Sequence, residues 1–128
     1  MQLRDDIPGI FYPGYWGCFG GAVSAGEEPA SALSRELNEE LEIKSSQIVE
    51  FVHFEFDLTR VGQKKVCRIY YQLSITSDMV SQLVLHEGAD MRLFEDSEIF
   101  DLPNVAPYDS FALWLYAARS RFLPNKNR

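Results

Sequence analysis

The chain has 128 residues, of which 46% are hydrophobic and 13% aromatic, and it carries a formal net charge of −7. Its length and composition are typical of one globular domain, so we expect a single domain over residues 1–128 rather than a disordered segment. The acidic charge argues against a nucleic-acid polymer as partner, because such a partner requires a basic face.

Cysteine use and hydropathy bear on where the protein works. Cys18 and Cys67 are the only cysteines, and neither they nor His53 and His86 show the spacing of a zinc site. We see no signal peptide and no apolar run long enough to cross a bilayer. These features predict a protein of the reducing cytoplasm that has no membrane partner.

The first 21 residues lead into a glycine pair. Residues 1–4 predict the end of a strand that is short or truncated, and residues 5–9 predict a turn-rich connection. Residues 10–15 predict an aromatic loop, and the short apolar segment 16–19 runs into Gly20 and Gly21. Two consecutive glycines let a backbone approach a ligand closely.

A helix is predicted from about residue 28, because proline at position 29 suits the first helical turn. Its expected core face consists of four residues at helical spacing, Ala30, Leu33, Leu37 and Leu41.

Three carboxylates should crowd one flank of this helix. Glu36, Glu39 and Glu40 fall within roughly 100° of its circumference. Because like charges at these spacings repel, the cluster predicts a compensating hard cation such as Mg²⁺, which prefers oxygen ligands. A solvated acidic helix is the alternative.

The rest of the chain predicts a hairpin, two short elements and a final helix. Strands are expected at 48–56 and 66–75, and turn residues lie at 60–65 between them. Residues 77–83 predict a loop or one helical turn, 90–94 a strand, and 95–100 a short acidic turn of helix. Helices and strands in this order predict an α/β protein, an α/β/α sandwich around a mixed β-sheet.

The final helix is expected over residues 107–122, ahead of a frayed tail at 123–128. Its predicted apolar face comprises Tyr108, Phe111, Ala112, Leu115, Ala118 and Phe122. Trp114 and Tyr116 fall outside that face, so the helix should be packed on both sides. A homodimer contact is the alternative.

The stretch from Gly21 to Ile43 resembles the signature box of the Nudix hydrolases, G-x5-E-x7-R-E-U-x-E-E-x-G-U with U aliphatic. The matching positions are Gly21, Glu27, Arg35, Glu36, Leu37, Glu39, Glu40 and Ile43. Glu42 stands where the family has glycine, which closes the helix in a left-handed conformation. We therefore expect Glu42 either to cost stability there or to extend the helix by one residue.

The resemblance implies the Nudix fold and a Mg²⁺-dependent (or Mn²⁺-dependent) hydrolase of a nucleoside diphosphate linked to another group. It implies that Glu36 and Glu40 are the principal metal ligands, helped by Glu39 and the carbonyl of Gly20. It also implies that Glu27 pairs with Arg35 and fixes the loop against the helix.

The resemblance leaves the proton acceptor and the substrate contacts open. Glu36 could accept the proton, and among later glutamates Glu87 is the best placed, ahead of Glu55. Candidate substrate contacts are Arg4 for a phosphate, and Tyr15 and Trp16 for a base or sugar. A small nucleotide such as a nucleotide sugar is favoured, while dinucleotides and nucleoside triphosphates stay open.

Two other classes of protein compete with the enzyme. One is a catalytically inactive Nudix-fold module that binds or senses a nucleotide, for which Glu42 is the one hint. The retained carboxylates argue against it, because a dead site does not need three repelling charges. The other is an unrelated acidic α/β protein in which the box arises by chance.

Overall fold

The structure is a computed structural model that describes residues 1–44 and 47–122. Its contacts divide the chain into two compact units, Met1–Phe19 with Leu85–Arg128 and Gly20–Val84, which are treated separately below. The predicted tail at 123–128 lies outside the described residues. Within those residues, no helix is both long and apolar enough to cross a membrane.

The described elements are short runs of one or two strands, each followed by a helix. In chain order they are β1 (Gln2–Leu3), β2 (Trp16–Gly17), α1 (Pro29–Leu41), β3 (Ile48–Asp57), β4 (Lys65–Leu73), α2 (Ser77–Gln82), β5 (Asp90–Met91) and α3 (Pro107–Ala117). Short 3-10 turns lie at Thr59–Val61, Glu98–Phe100 and Arg119–Arg121.

A small antiparallel sheet organises the first unit. Strand β1 lies between β2 and β5, and Trp16 also forms a parallel bridge with Val105. The strand predicted over residues 90–94 is shorter, since β5 comprises only Asp90 and Met91. Just beyond it, the amide of Arg92 donates to the carbonyl of Met1 at 3.0 Å.

Helix α3 turns part of its predicted apolar face inward, since Ala112 and Ala118 are buried as predicted. Asp109 and Ala112 are buried, whereas Phe111 is 52% and Phe122 61% exposed, so placing these two rings in the packed face was wrong. The carboxylate of Asp109 accepts the amide of Cys18 at 2.9 Å, which turns this side of the helix inward. The helix also ends at Ala117, and the chain continues as a 3-10 turn instead of reaching residue 122 as an α-helix.

In the second unit, α1 begins at Pro29 as predicted, and its buried stripe crosses it obliquely. The stripe starts at Ala32, continues through Leu37 and ends at Leu41. Ala30 is exposed, and its placement in the core face was wrong. The buried stripe leaves Ala30 to one side.

The end of α1 resolves the two alternatives for Glu42. The helix stops at Leu41, and Glu42 adopts the left-handed conformation at φ 59° and ψ 24°. Its amide donates to the carbonyl of Asn38 at 3.0 Å, and the amide of Ile43 donates to the carbonyl of Leu37 at 3.3 Å. Glu42 therefore takes the backbone geometry that favours glycine.

Strands β3 and β4 form the predicted antiparallel hairpin. Asp57 pairs with Lys65 at the closed end and Ile48 with Leu73 at the open end, with a β-bulge between Glu50 and Val52. The 3-10 turn at Thr59–Val61 connects the strands. Residues 77–82, for which the sequence allowed a loop or a helical turn, form α2, where the Thr76 side chain accepts the amide of Met79.

We predict that Glu42→Gly is more stable than Glu42→Ala by about 1 kcal/mol, because both remove the side chain but only glycine relieves the left-handed strain. Urea denaturation followed by circular dichroism measures the difference. Equal stability of the two variants would show that residue 42 carries no backbone strain.

Candidate functional site

Glu40 lies beneath the glycine loop of the second unit. Its side chain accepts the amide of Gly20 at 3.0 Å, and the residue is only 3% exposed. The side chain of Glu39, by contrast, is 58% exposed. The three carboxylates therefore differ in burial, and Glu40 belongs to the buried stripe of α1.

Arg35 is the cation around which the other carboxylates gather. Its Nε and Nη2 each donate to one oxygen of Glu27 at 3.1 Å, a two-point contact that fixes both groups. Its Nη1 donates to Oε1 of Glu36 at 2.7 Å and lies 3.5 Å from Oε2 of Glu39. One guanidinium thus offsets part of the repulsion among the acids of the helix.

Glu27 ties the loop to this cation. Its carboxylate accepts the amide of Ser24 at 3.0 Å, and its own amide donates to the carbonyl of Ser24 at 3.0 Å. Hydrogen bonds lower the pKa of Glu27 from 4.5 to about 2, with the larger effect from Arg35 and the smaller from the Ser24 amide. The same contacts with Glu27 and Glu36 raise the pKa of Arg35 above its ordinary value.

Gly21 leaves room for the close approach of the Glu36 carboxylate. A Cβ added at Gly21 would lie 2.3 Å from Cδ of Glu36, far inside van der Waals contact. The side chain of Glu36 is 17% exposed and lies against this glycine. Any larger residue at position 21 would displace the Glu36 carboxylate, so the glycine positions that group.

The carboxylate oxygens of the helix are of the chemical type that binds a hard divalent cation. Glu36 and Glu39 converge on one positively charged nitrogen of Arg35, and carboxylate oxygens are the ligands that Mg²⁺ prefers. Across residues 1–44 and 47–122, no three His, Cys, Asp or Glu side chains form a group that could hold a metal ion. Glu40, the third predicted carboxylate ligand, is turned to the amide of Gly20.

The predicted substrate contacts lie in the first unit, and each has a partner there. Nε of Arg4 donates to the carbonyl of Phe11 at 2.7 Å. The ring of Tyr15 lies 5.5 Å from that of Tyr12. The ring of Trp16 meets that of Phe94 edge-on at 5.0 Å.

Glu87 also belongs to the first unit, where it is exposed. The next residue, Gly88, has a φ of 93°, and a Cβ there would lie 2.9 Å from the carbonyl oxygen of Leu3. The amide of Ala89 donates to the same carbonyl at 2.8 Å. Close packing on β1 therefore fixes the backbone beside Glu87.

The sequence did not predict the contacts of Arg35 with Glu36 and Glu39, that of Glu40 with the Gly20 amide, or the role of Ser24. The contact of Arg35 with Glu39 had a visible signal, since the two residues are spaced i,i+4 on a helix. The hydrogen bond from the Ser24 amide to the Glu27 carboxylate had no visible signal in the sequence. It forms only because the chain turns between these two residues.

A family model described as the NUDIX domain matches residues 3–124, and the chain belongs to the Nudix hydrolase family. An uncharacterised Nudix hydrolase from Pseudomonas aeruginosa is 36% identical over 117 residues, which are 88% of this chain. The match spans 66% of that relative's length.

Two solved structures share the fold. The MutT protein from Methanosarcina mazei Go1 superposes with a TM-score of 0.72 at 20% identity, covering 94% of this chain and 82% of that one. A binary complex of a C. elegans Ap4A hydrolase gives 0.59 at 22% identity, covering 95% of this chain and 86% of that one. The predicted family and the predicted α/β fold of the Nudix type are confirmed.

We predict that the pairing of Glu27 with Arg35 makes the free energy of unfolding fall as the pH is lowered. Because the folded pKa of Glu27 is about 2 and its ordinary value is 4.5, the contribution is complete above pH 4.5 and is lost as the pH falls towards 2. Chemical denaturation of wild type and Glu27→Gln from pH 6 to pH 2 measures it.

The wild type should be the more stable protein at pH 6, and the gap between the two should close on acidification. Asp101→Asn, a change at an exposed carboxylate outside the box, controls for the general loss of charge. A gap that stays constant from pH 6 to pH 2 would show that Glu27 does not stabilise the fold as an ionised group.

Proposed function

We propose that this chain is a divalent-cation-dependent hydrolase that cleaves a phosphoanhydride bond in a nucleotide derivative. The observation that supports it best is the arrangement of the box, in which Arg35 holds Glu27, Glu36 and Glu39 while Glu40 is buried against Gly20. Family membership supplies the reaction class.

Glu36, Glu39, Glu40 and the carbonyl of Gly20 are the proposed ligands of Mg²⁺, or of Mn²⁺ in its place. When bound, the cation would supply the positive charge that neutralises the phosphate oxygens. The protein's contribution is to hold the carboxylates in place. It does so through the contacts of Arg35 and through the packing of Gly21 on Glu36.

Glu27 and Arg35 act as positioning residues in this proposal. Their two-point contact and the bonds to Ser24 and Ala22 keep the loop on the helix without requiring contact with substrate. The attacking water must also lose a proton. Glu36 in the box and Glu87 in the first unit are the two carboxylates that we propose for that step.

We favour a nucleotide sugar or a similar small nucleotide as substrate. One structural relative is named as an Ap4A hydrolase, and that name is compatible with a small nucleotide as substrate. Arg4, Tyr15 and Trp16 remain the predicted substrate contacts. A cytoplasmic location, one functional domain over residues 1–128 and a possible homodimer are part of the same proposal.

We predict that the wild type releases a nucleoside mono- or diphosphate only when Mg²⁺ or Mn²⁺ is added. Chromatographic product analysis over nucleotide sugars, dinucleotides and nucleoside triphosphates measures this. Glu40→Gln should abolish the release while keeping an oxygen that can accept the Gly20 amide. Glu42→Gln, which removes one charge at the end of the same helix, is the matched control and should retain activity.

The wild type could turn over no substrate and still be stabilised against heat by Mg²⁺, with Glu40→Gln removing that stabilisation. This pair of results would favour a nucleotide-sensing module instead of an enzyme. Failure of both turnover and stabilisation would contradict the metal site itself.

We predict that Glu87→Gln lowers kcat by about 10²- to 10⁴-fold if Glu87 is the general base, because that is the contribution of a positioned proton acceptor. Steady-state kinetics on the substrate found above measures it, with Glu95→Gln as a control in the same unit. A kcat within about threefold of the wild type corresponds to under ~1 kcal/mol of barrier and would show that the base is a residue other than Glu87.

A further inference from the structure

Strand β2 is bonded along both of its edges within the first unit. One edge pairs with β1. On the other edge, the amide of Trp16 donates to the carbonyl of Asn104 at 2.7 Å, and the Trp16 carbonyl accepts the amide of Ala106 at 2.8 Å. These are the two bonds that a parallel ladder makes at one residue, in agreement with the parallel bridge at Trp16. In such a ladder, the next bond would run from the amide of Cys18 to the carbonyl of Ala106.

The side chain of Asp109 supplies that next bond instead. The carbonyl of Ala106 accepts the amides of Asp109 and Ser110, both at 2.9 Å, because helix α3 starts there. The amide of Cys18 donates to the carboxylate of Asp109, also at 2.9 Å. Asp109 is only 4% exposed, and a Cβ at Gly17 would lie 3.0 Å from the same carboxylate. The carboxylate therefore ends the ladder in a closely packed place.

A second buried carboxylate holds the chain two residues further on. The amide of Gly20 donates to Glu40 at 3.0 Å within the second unit. The boundary between the units falls between Phe19 and Gly20, so the two bonds lie on either side of it and are connected through the chain. Asp109 and Glu40 are the buried acids of the described part of the protein. Each of them accepts an amide of the three residues from Cys18 to Gly20.

We propose that Asp109 is a positioning residue that fixes the backbone at Gly20, and with it the carbonyl that is the proposed metal ligand. The inference rests on the proposed function and adds to it a residue outside the box. Gly20 has a φ of 131°, a conformation that favours glycine. Because Gly20 has no side chain, the direction of its carbonyl depends on the bonds that hold the chain on either side.

The place of Asp109 in α3 suits an acid in this role. Asp109 lies in the first turn of the helix, where the helix dipole favours a negative charge. A charged acceptor forms a stronger hydrogen bond with a backbone amide than a neutral one does. Asp109→Asn therefore keeps an acceptor and weakens the bond to Cys18, whereas Asp109→Ala removes it.

Amide hydrogen exchange of the metal-free protein, measured by NMR, is the first test. In Asp109→Ala the amide of Gly20 should exchange about tenfold faster relative to the amides of β4, because the segment loses one of its two hydrogen bonds to a carboxylate. Asp109→Asn should restore most of the protection. Gly17→Ala, whose Cβ would crowd the carboxylate, should speed the same exchange and tests the inference if Asp109→Ala does not fold.

Ala112→Gly is the matched control. It changes a buried residue of the same helix, weakens the helix through its lower helix propensity, and leaves the carboxylate of Asp109 in place. Its exchange at Gly20 should keep the wild-type ratio to the amides of β4. A general loss of stability would raise exchange at both places together, so the ratio separates positioning from a merely structural role.

Binding of Mn²⁺ without substrate, measured by electron paramagnetic resonance, is the second test. Asp109→Ala should weaken it about tenfold, as expected for a residue that orients a ligand without touching the ion, and Ala112→Gly should leave it unchanged. Wild-type exchange at Gly20 in both Asp109→Ala and Gly17→Ala, or wild-type Mn²⁺ affinity in both, would overturn the inference. A wild type that binds no Mn²⁺ would contradict the proposed function, and the exchange measurement would still decide whether Asp109 fixes the backbone at Gly20.

Discussion

The ion cluster on Arg35 is the interaction on which the site depends. One side chain contacts Glu27 in the loop and both Glu36 and Glu39 in the helix, so loop and helix are held by the same charge. Without it, three neighbouring carboxylates would repel one another and the loop would lose its anchor. The low pKa of Glu27 expresses the same coupling, because the ionised form is the one that the cation and the Ser24 amide stabilise.

Backbone constraints work beside this charge. Gly21 leaves room for the Glu36 carboxylate, and Gly88 leaves room for the backbone of β1 next to Glu87. Glu42 shows the opposite case, a residue with a side chain in the left-handed conformation that glycine adopts without strain. The helix still ends in the geometry that the family glycine would provide, so the departure from the box affects the strain in the backbone and does not remove a carboxylate from the helix.

The hairpin and the last helix show how packing redirects local patterns. Periodicity located both elements, but the bulge in β3 altered which residues share a face, and this brings Glu50 to His53. In α3, the bond between Asp109 and the Cys18 amide joins residues far apart in the chain and turns an acid inward. Phe111 consequently lies on the outer side, stacked on Trp114 with ring centroids 6.3 Å apart.

The sequence alone determined the family, the start of α1 at Pro29, the hairpin, and the set of acids from Glu27 to Glu40, because these depend on residue type and spacing along a few turns of chain. It could not determine that Glu40 is buried, that Ala32 rather than Ala30 packs inward, or that Phe111 is exposed. Those outcomes depend on the angle at which a helix packs and on bonds such as Gly20 to Glu40 and Cys18 to Asp109. Contacts between distant residues are set only when the chain folds, so tertiary structure decided them.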